Sequence, residues 1–137
     1  MGPHNNKELI RKLFVEVLNG RDFPALDGLI SRDYTDHNPV PGTPDGVEGI
    51  KAKLSAMVQA FPDLEFDLGD LVAENDLVAA RYQWSGTQRG AVLGVPPTGE
   101  KVRVEGMDFY RIKGCRIVEH WDNVDTLSLL QQLGAAV

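Results

Sequence analysis

The stretch KVRVEGMDFYRIKGCRIVEHWDNVD, residues 101–125, decides how the chain folds. Its first half alternates with period two. Val102, Val104, Tyr110 and Ile112 fall on one face, and Lys101, Arg103, Glu105 and Arg111 on the other, as in a half-buried strand. Its second half reads as another strand, with Val118, His120, Asp122 and Val124 on one face. Lys113-Gly114-Cys115 joins the two as a hairpin. A three-residue loop there sets Ile112 opposite Arg116, Tyr110 opposite Val118, Asp108 opposite His120 and Gly106 opposite Asp122. A two-residue loop would lay a charged face beside an apolar one, so the three-residue loop is expected, with Gly114 better suited than Cys115 to a left-handed turn position. In that register Asp108, His120 and Asp122 converge, and side-chain-free Gly106 leaves a hollow before Asp122. A histidine and carboxylates on a covered face are either a buried hydrogen-bonded network or the proton-transfer groups of a pocket. The residues alone leave both readings open.

Upstream, Leu64 to Leu68 alternates, and Glu74-Asn75-Asp76 turns the chain into Leu77 to Trp84. A three-residue loop pairs Phe66 with Trp84 and Leu68 with Tyr82 on one apolar face. Gly86 to Gly99 is a long connection rich in Gly and Pro. Before residue 64 the period changes to that of helices. Asn6 is placed to cap a helix over residues 7–18, with Ile10, Leu13, Phe14 and Val17 as its stripe, and Asn19-Gly20 ends it. Asp22 caps a short helix through Ile30. Residues 34–46, with three prolines and two glycines, read as a loop. A third helix spans residues 47–61, burying Ile50, Leu54, Met57, Val58 and Phe61. After the last strand Thr126 caps a short helix from Leu127 to Leu133. Three helices, a run of antiparallel strands and a short C-terminal helix give a segregated α+β order. A curved sheet over helices would enclose a concave pocket.

The chain has 137 residues and a formal charge of −6, enough for one core and the wrong sign for a nucleic-acid partner. One domain is expected over residues 7–134, behind a loose polar tail over residues 1–6. The single Cys115 excludes an internal disulfide and suits a reducing, cytoplasmic setting. No apolar run approaches membrane-spanning length. Three histidines, one of them His4 in the tail, offer no helix-face or strand pair of metal ligands, so no metal site is expected. His37 and Asn38 sit in the proline-rich loop, where they are ordinary loop residues or polar groups at a pocket mouth. Tyr82 and Trp84 are core residues that can also line a pocket.

Phe61-Pro-Asp-Leu64, Gly86-Thr-Gln-Arg-Gly90, Gly94-Val-Pro-Pro-Thr-Gly99, Arg116-Ile-Val-Glu-His-Trp-Asp122 and Gln132-Leu-Gly134 together resemble the SnoaL-like polyketide cyclase family. The resemblance runs from about residue 7 to 134. It implies the cystatin-like cone of the nuclear transport factor 2-like superfamily, with a curved, mixed-order sheet on three N-terminal helices, and a homodimer or homotetramer. It also implies cofactor-free aldol ring closure on an apolar small molecule, with Asp122 as acid/base and His120 beside it. His37, Asn38, Asp108, Tyr82, Trp84 and Gly106 are the expected substrate-binding positions. This chain has Gly106 and Asp108 where the cyclases place Gln and His, and Gln88 where many relatives place His. The leading expectation is an acid/base enzyme in which Asp122, its pKa raised by the pocket, removes a proton beside a carbonyl, while His120 with Asn38 or a protonated Asp108 binds the enolate oxygen. Epoxide hydrolysis or dehydration in the same pocket, and a non-catalytic binding protein, are the alternatives.

Overall fold

The tight turns of the sheet are set by left-handed residues, and they fix its register. The computed structural model describes residues 2–135. Strands β2 (Glu65–Glu74) and β3 (Leu77–Thr87) meet through a two-residue turn in which Asn75 has φ 53°. A register shift between Leu68 and Leu71 follows, so Phe66 still faces Trp84 and Leu68 still faces Tyr82, as the apolar pattern requires. The expected pairs form, but through a turn and a bulge rather than a three-residue loop. The hairpin of β4 (Lys101–Lys113) and β5 (Arg116–Val124) repeats the device. Gly114 and Cys115, at φ 56° and 60°, make a two-residue turn that pairs Lys113 with Arg116. The register then shifts between Ile112 and Arg111, with Val118 as the extra residue of β5. The expected register is therefore corrected: Asp108 faces Asp122, Tyr110 faces His120, and Gly106 faces Val124. The bulge resolves the conflict that seemed to exclude the short turn, because Ile117 points inward before it and His120 and Asp122 point inward after it.

The sheet order is β1-β5-β4-β3-β2. Strand β1 (Ile30–Asp36) was expected as the end of a helix followed by loop. It pairs parallel to β5, with Asp36 in register with His120, so the sheet is mixed rather than wholly antiparallel. Its sequence does not alternate cleanly, because Arg32, Asp33 and Thr35 are exposed and only Ile30 and Tyr34 are buried.

Helix α1 opens at Pro3 and runs to Lys12, then continues as a π-helical segment from Leu13 to Asn19. Asn6 lies buried inside this helix and does not cap it. Leu13, Phe14, Val17 and Leu18 of the π-helical segment are all buried. A 3-10 turn over Phe23–Ala25 leads into the one-turn helix α2 (Leu26–Leu29). Helix α3 (Gly46–Ala60) lies where the periodicity placed it, and the final helix α4 (Thr126–Gln132) is capped by the Asp125 carboxylate, which accepts from the Ser128 amide at 3.0 Å, not by Thr126. The core fills the concave side of the sheet, with Phe14, Phe61, Val78, Val102 and Ile117 almost fully buried. The α+β class and the helix-lined curved sheet are as expected.

Candidate active site

The corrected register places the polar side chains on one apolar wall. Asp108 and Tyr110 of β4 and, beyond the bulge, His120, Asp122 and Val124 of β5 line a cavity of about 540 Å³ between the sheet, the N-terminal helix and α3. Phe14, Leu18, Leu54, Met57, Phe66 and Trp84 supply much of its apolar lining. The cavity is of a size that holds a small organic molecule. The loop after β3 contributes Ala91, Val92 and Leu93. Fully buried Gln88 pins this loop: its side chain donates to the Val95 carbonyl at 3.0 Å and accepts from the Thr98 amide and hydroxyl at 3.0 and 2.7 Å.

Asp108 is the hub. Only 6% exposed, its carboxyl group accepts from the hydroxyls of Tyr82 and Tyr110, each at 3.1 Å, and lies 2.9 Å from His120 Nε2. The His120 ring stacks on Tyr110 at 4.7 Å, and its Nδ1 is 3.9 Å from Asp36. Across the strand pair lies Asp122, whose Oδ2 accepts from the Lys53 ammonium at 2.6 Å and whose backbone amide donates to Asn38 Oδ1 at 2.9 Å.

The two carboxyl groups are driven in opposite directions. Burial pushes the Asp108 pKa up, reinforced by Asp122, and outweighs the lowering by His120. Asp122 is also raised by burial, but the Lys53 ammonium, the hydrogen bond from Asp108 and the charge of His120 together hold it below the ordinary carboxylate range. The sequence expectation of a raised pKa on Asp122 is thereby corrected. Asp122 Oδ1 is buried with no donor among the described residues. A buried carboxylate oxygen without a donor is costly, so Oδ1 is the atom of the pair left for a ligand's hydrogen-bond donor. Burial also raises the phenols of Tyr34, Tyr82 and Tyr110, so all three remain hydrogen-bond donors.

Of the residues expected at the site, Asp122, His120, Asp108, Asn38, Tyr82 and Trp84 line the cavity. Gly106 does not. The hollow expected before Asp122 is filled by Tyr82, whose ring carbon Cζ would lie 2.5 Å from a Cβ at Gly106. The glycine thus admits the ring that reaches Asp108. His37 lies outside the cavity, because β1 extends to Asp36 and alternation turns the next residue to the outer face. There His37 stacks on Trp121 at 4.6 Å and bonds Glu119 at 2.8 Å. Sequence reasoning gave no site role to Tyr34, to Asp36 beside the expected pocket-mouth pair His37 and Asn38, or to Lys53. The first two needed β1 to be recognised. Lys53 carried its own signal, since it lies three residues after Ile50 and four before Met57 on the buried stripe of α3.

Comparison with known proteins agrees with the fold. The sequence profile of the SnoaL-like polyketide cyclases matches residues 8–133. No curated protein matches the chain. Among solved structures, TsrD from Streptomyces laurentii is 32% identical, with 99% of each chain covered and a TM-score of 0.89. Wild-type IdmH from Streptomyces antibioticus, described as a candidate polyketide cyclase, is 34% identical over 95% of this chain and 99% of that one, with a TM-score of 0.82. AclR from Streptomyces galilaeus, described as a candidate hydroxylase, is 27% identical over 97% and 83%, with a TM-score of 0.84.

Proposed function

The chain belongs to the SnoaL-like polyketide cyclase family, and on that premise we propose that it is a cofactor-independent acid/base enzyme acting on a small, largely apolar carbonyl compound, by intramolecular aldol cyclisation or a related isomerisation. The observation that carries this reading is the pair Asp108 and Asp122, adjacent on the cavity wall with proton affinities pushed apart. Such a split is how one site holds an acid and a base at the same pH.

Asp122, ionised beside Lys53, removes a proton from carbon next to a carbonyl. The electron pair moves onto the carbonyl oxygen, where protonated Asp108, Tyr34 or Asn38 donates a hydrogen bond. The new carbon–carbon bond leaves an alkoxide, and the proton returns from Asp122 to it. His120, locked by Asp108 and stacked on Tyr110, orients the acid and tunes its proton.

The test is exchange of the α-protons of an aryl β-keto ester in deuterated water, followed by proton NMR. The protein is expected to accelerate exchange, and Asp122→Asn to lose that acceleration by roughly a hundredfold or more with folding retained. Equal exchange in the variant contradicts the role of Asp122. A second reaction also has an observation behind it: epoxide hydrolysis needs paired carboxylates and a cation, and Lys53 supplies a cation beside Asp122. Diol formation from an apolar epoxide, in place of exchange, would move the assignment there.

A further inference from the structure

We propose that Lys53 is a catalytic residue in its own right: its ammonium, the counterion of Asp122 in the free protein, becomes the counterion of the substrate's enolate oxygen as Asp122 takes the carbon-bound proton. The proposal rests on the acid/base reading above. It starts from position. Lys53 reaches from α3, on the wall facing the sheet, and places Nζ 2.6 Å from Asp122 Oδ2. Among the described residues it is the one lysine or arginine lining the cavity, where Asp36, Asp108 and Asp122 are the carboxyl groups. Asp122 keeps 11% of its side chain exposed and Lys53 keeps 32%, so the carboxylate is the fixed member and the lysine the one with freedom to move.

Charge conservation carries the argument further. Before the step, the charges in direct contact are the Asp122 carboxylate and the Lys53 ammonium. When the C–H bond breaks, its proton goes to Asp122 and its electron pair to the carbonyl oxygen. Asp122 is then neutral, and the Lys53 ammonium loses the one carboxylate it touches in this cavity. The enolate oxygen is the one new anion in the site. If it takes the place of the carboxylate, one ion pair is exchanged for another and no isolated charge is created. An ammonium on a flexible four-carbon stem suits such a short transfer, whereas an isolated exposed ion pair would contribute little.

A phenolate is a stable stand-in for an enolate, and 4-nitrophenol reports its own ionisation by absorbance. Bound to the wild-type protein, the phenolate competes with the Asp122 carboxylate for Lys53. Asp122→Asn mimics the protonated base and releases the ammonium, so 4-nitrophenolate is expected to bind roughly tenfold or more tightly than to wild type. Removing one negative charge would produce part of that gain by itself, so the decisive comparison is the double variant. Lys53→Met combined with Asp122→Asn is expected to abolish the gain, and Lys53→Arg combined with Asp122→Asn to retain it. Retention of the full gain in the Lys53→Met double variant, or no gain in Asp122→Asn, overturns the proposal. Either result leaves the acid/base reading untouched, because that reading stands or falls on α-proton exchange in the single Asp122→Asn variant.

Discussion

Gly106 shows how much of this site is set by a residue that contributes no side chain. The Tyr82 ring lies over it and delivers its hydroxyl to Asp108 at 3.1 Å. A methyl group at Gly106 would sit 2.5 Å from both Tyr82 Cζ and its hydroxyl oxygen, and Tyr82 is too deeply buried to swing aside. Gly106→Ala is therefore expected to destabilise the fold by about 1–3 kcal/mol, as overpacking does. It should also weaken the Asp108 network, lowering α-proton exchange in the fraction that remains folded. Urea unfolding paired with the exchange assay checks both. Unchanged stability and exchange would mean that the ring is not held where the structure places it. His37 teaches the opposite lesson. A histidine next to a pocket segment looked functional, yet one step of strand parity sends it to the outer face. Residue type suggested chemistry in both cases, and backbone direction decided it.

At the level of elements, the two hairpins use one solution. Each combines a two-residue turn with a bulge that restores the inward face. Turn chemistry favours the short loop, the apolar pattern favours even parity, and the bulge reconciles them at the cost of one unpaired residue. The sequence carried both preferences but not the position of the bulge, which depends on how the sheet must curve. Cys115 bears part of the cost, since it holds φ 60° where glycine is at ease. Cys115→Gly is expected to stabilise the protein by about 0.5–1 kcal/mol and raise Tm by a few degrees, measured by thermal unfolding, because strain in the folded state exceeds the added freedom of the unfolded chain. A lower Tm would contradict the strain. Strand β1 was hidden for a related reason: it is a parallel edge strand whose partner lies more than eighty residues away, and no local periodicity announces such pairing.

Across the whole molecule, the fold class, α3, strands β2 to β5 and the convergence of Asp108, His120 and Asp122 were legible, because strand alternation and helix stripes are local signals. What was not legible was three-dimensional: the parallel edge strand, the reach of Lys53 across the cavity, and the placing of Asp108 directly opposite Asp122. The motifs that carried the family resemblance are largely clamps. Asp63 accepts from the Thr87 amide and hydroxyl at 2.6 and 2.8 Å, joining the Phe61–Leu64 and Gly86–Gly90 motifs. Gln132 grips the Arg103 amide and carbonyl at 2.9 and 2.8 Å, docking α4 on β4. These clamps hold the apolar cavity in which the two carboxyl groups separate.

That separation is the central claim, and it has a definite sign. Asp122, held below its ordinary value of 3.8 by Lys53, stays ionised as the pH falls until its lowered value is reached. It stabilises the fold above about pH 3.8, and this contribution is lost on further acidification. Asp108, held above 3.8 by burial, keeps its proton where a free aspartate would lose it, so stability declines as the pH rises from there through its folded value. The most direct measurement is a carbon-13 NMR titration of the aspartate side-chain carboxyls, with Asp108→Asn and Asp122→Asn assigning the two resonances. As the pH is lowered, the Asp108 carboxyl is predicted to protonate before that of Asp122, above pH 3.8, and the Asp122 carboxyl only below it. Protonation of Asp122 before Asp108 would contradict the account.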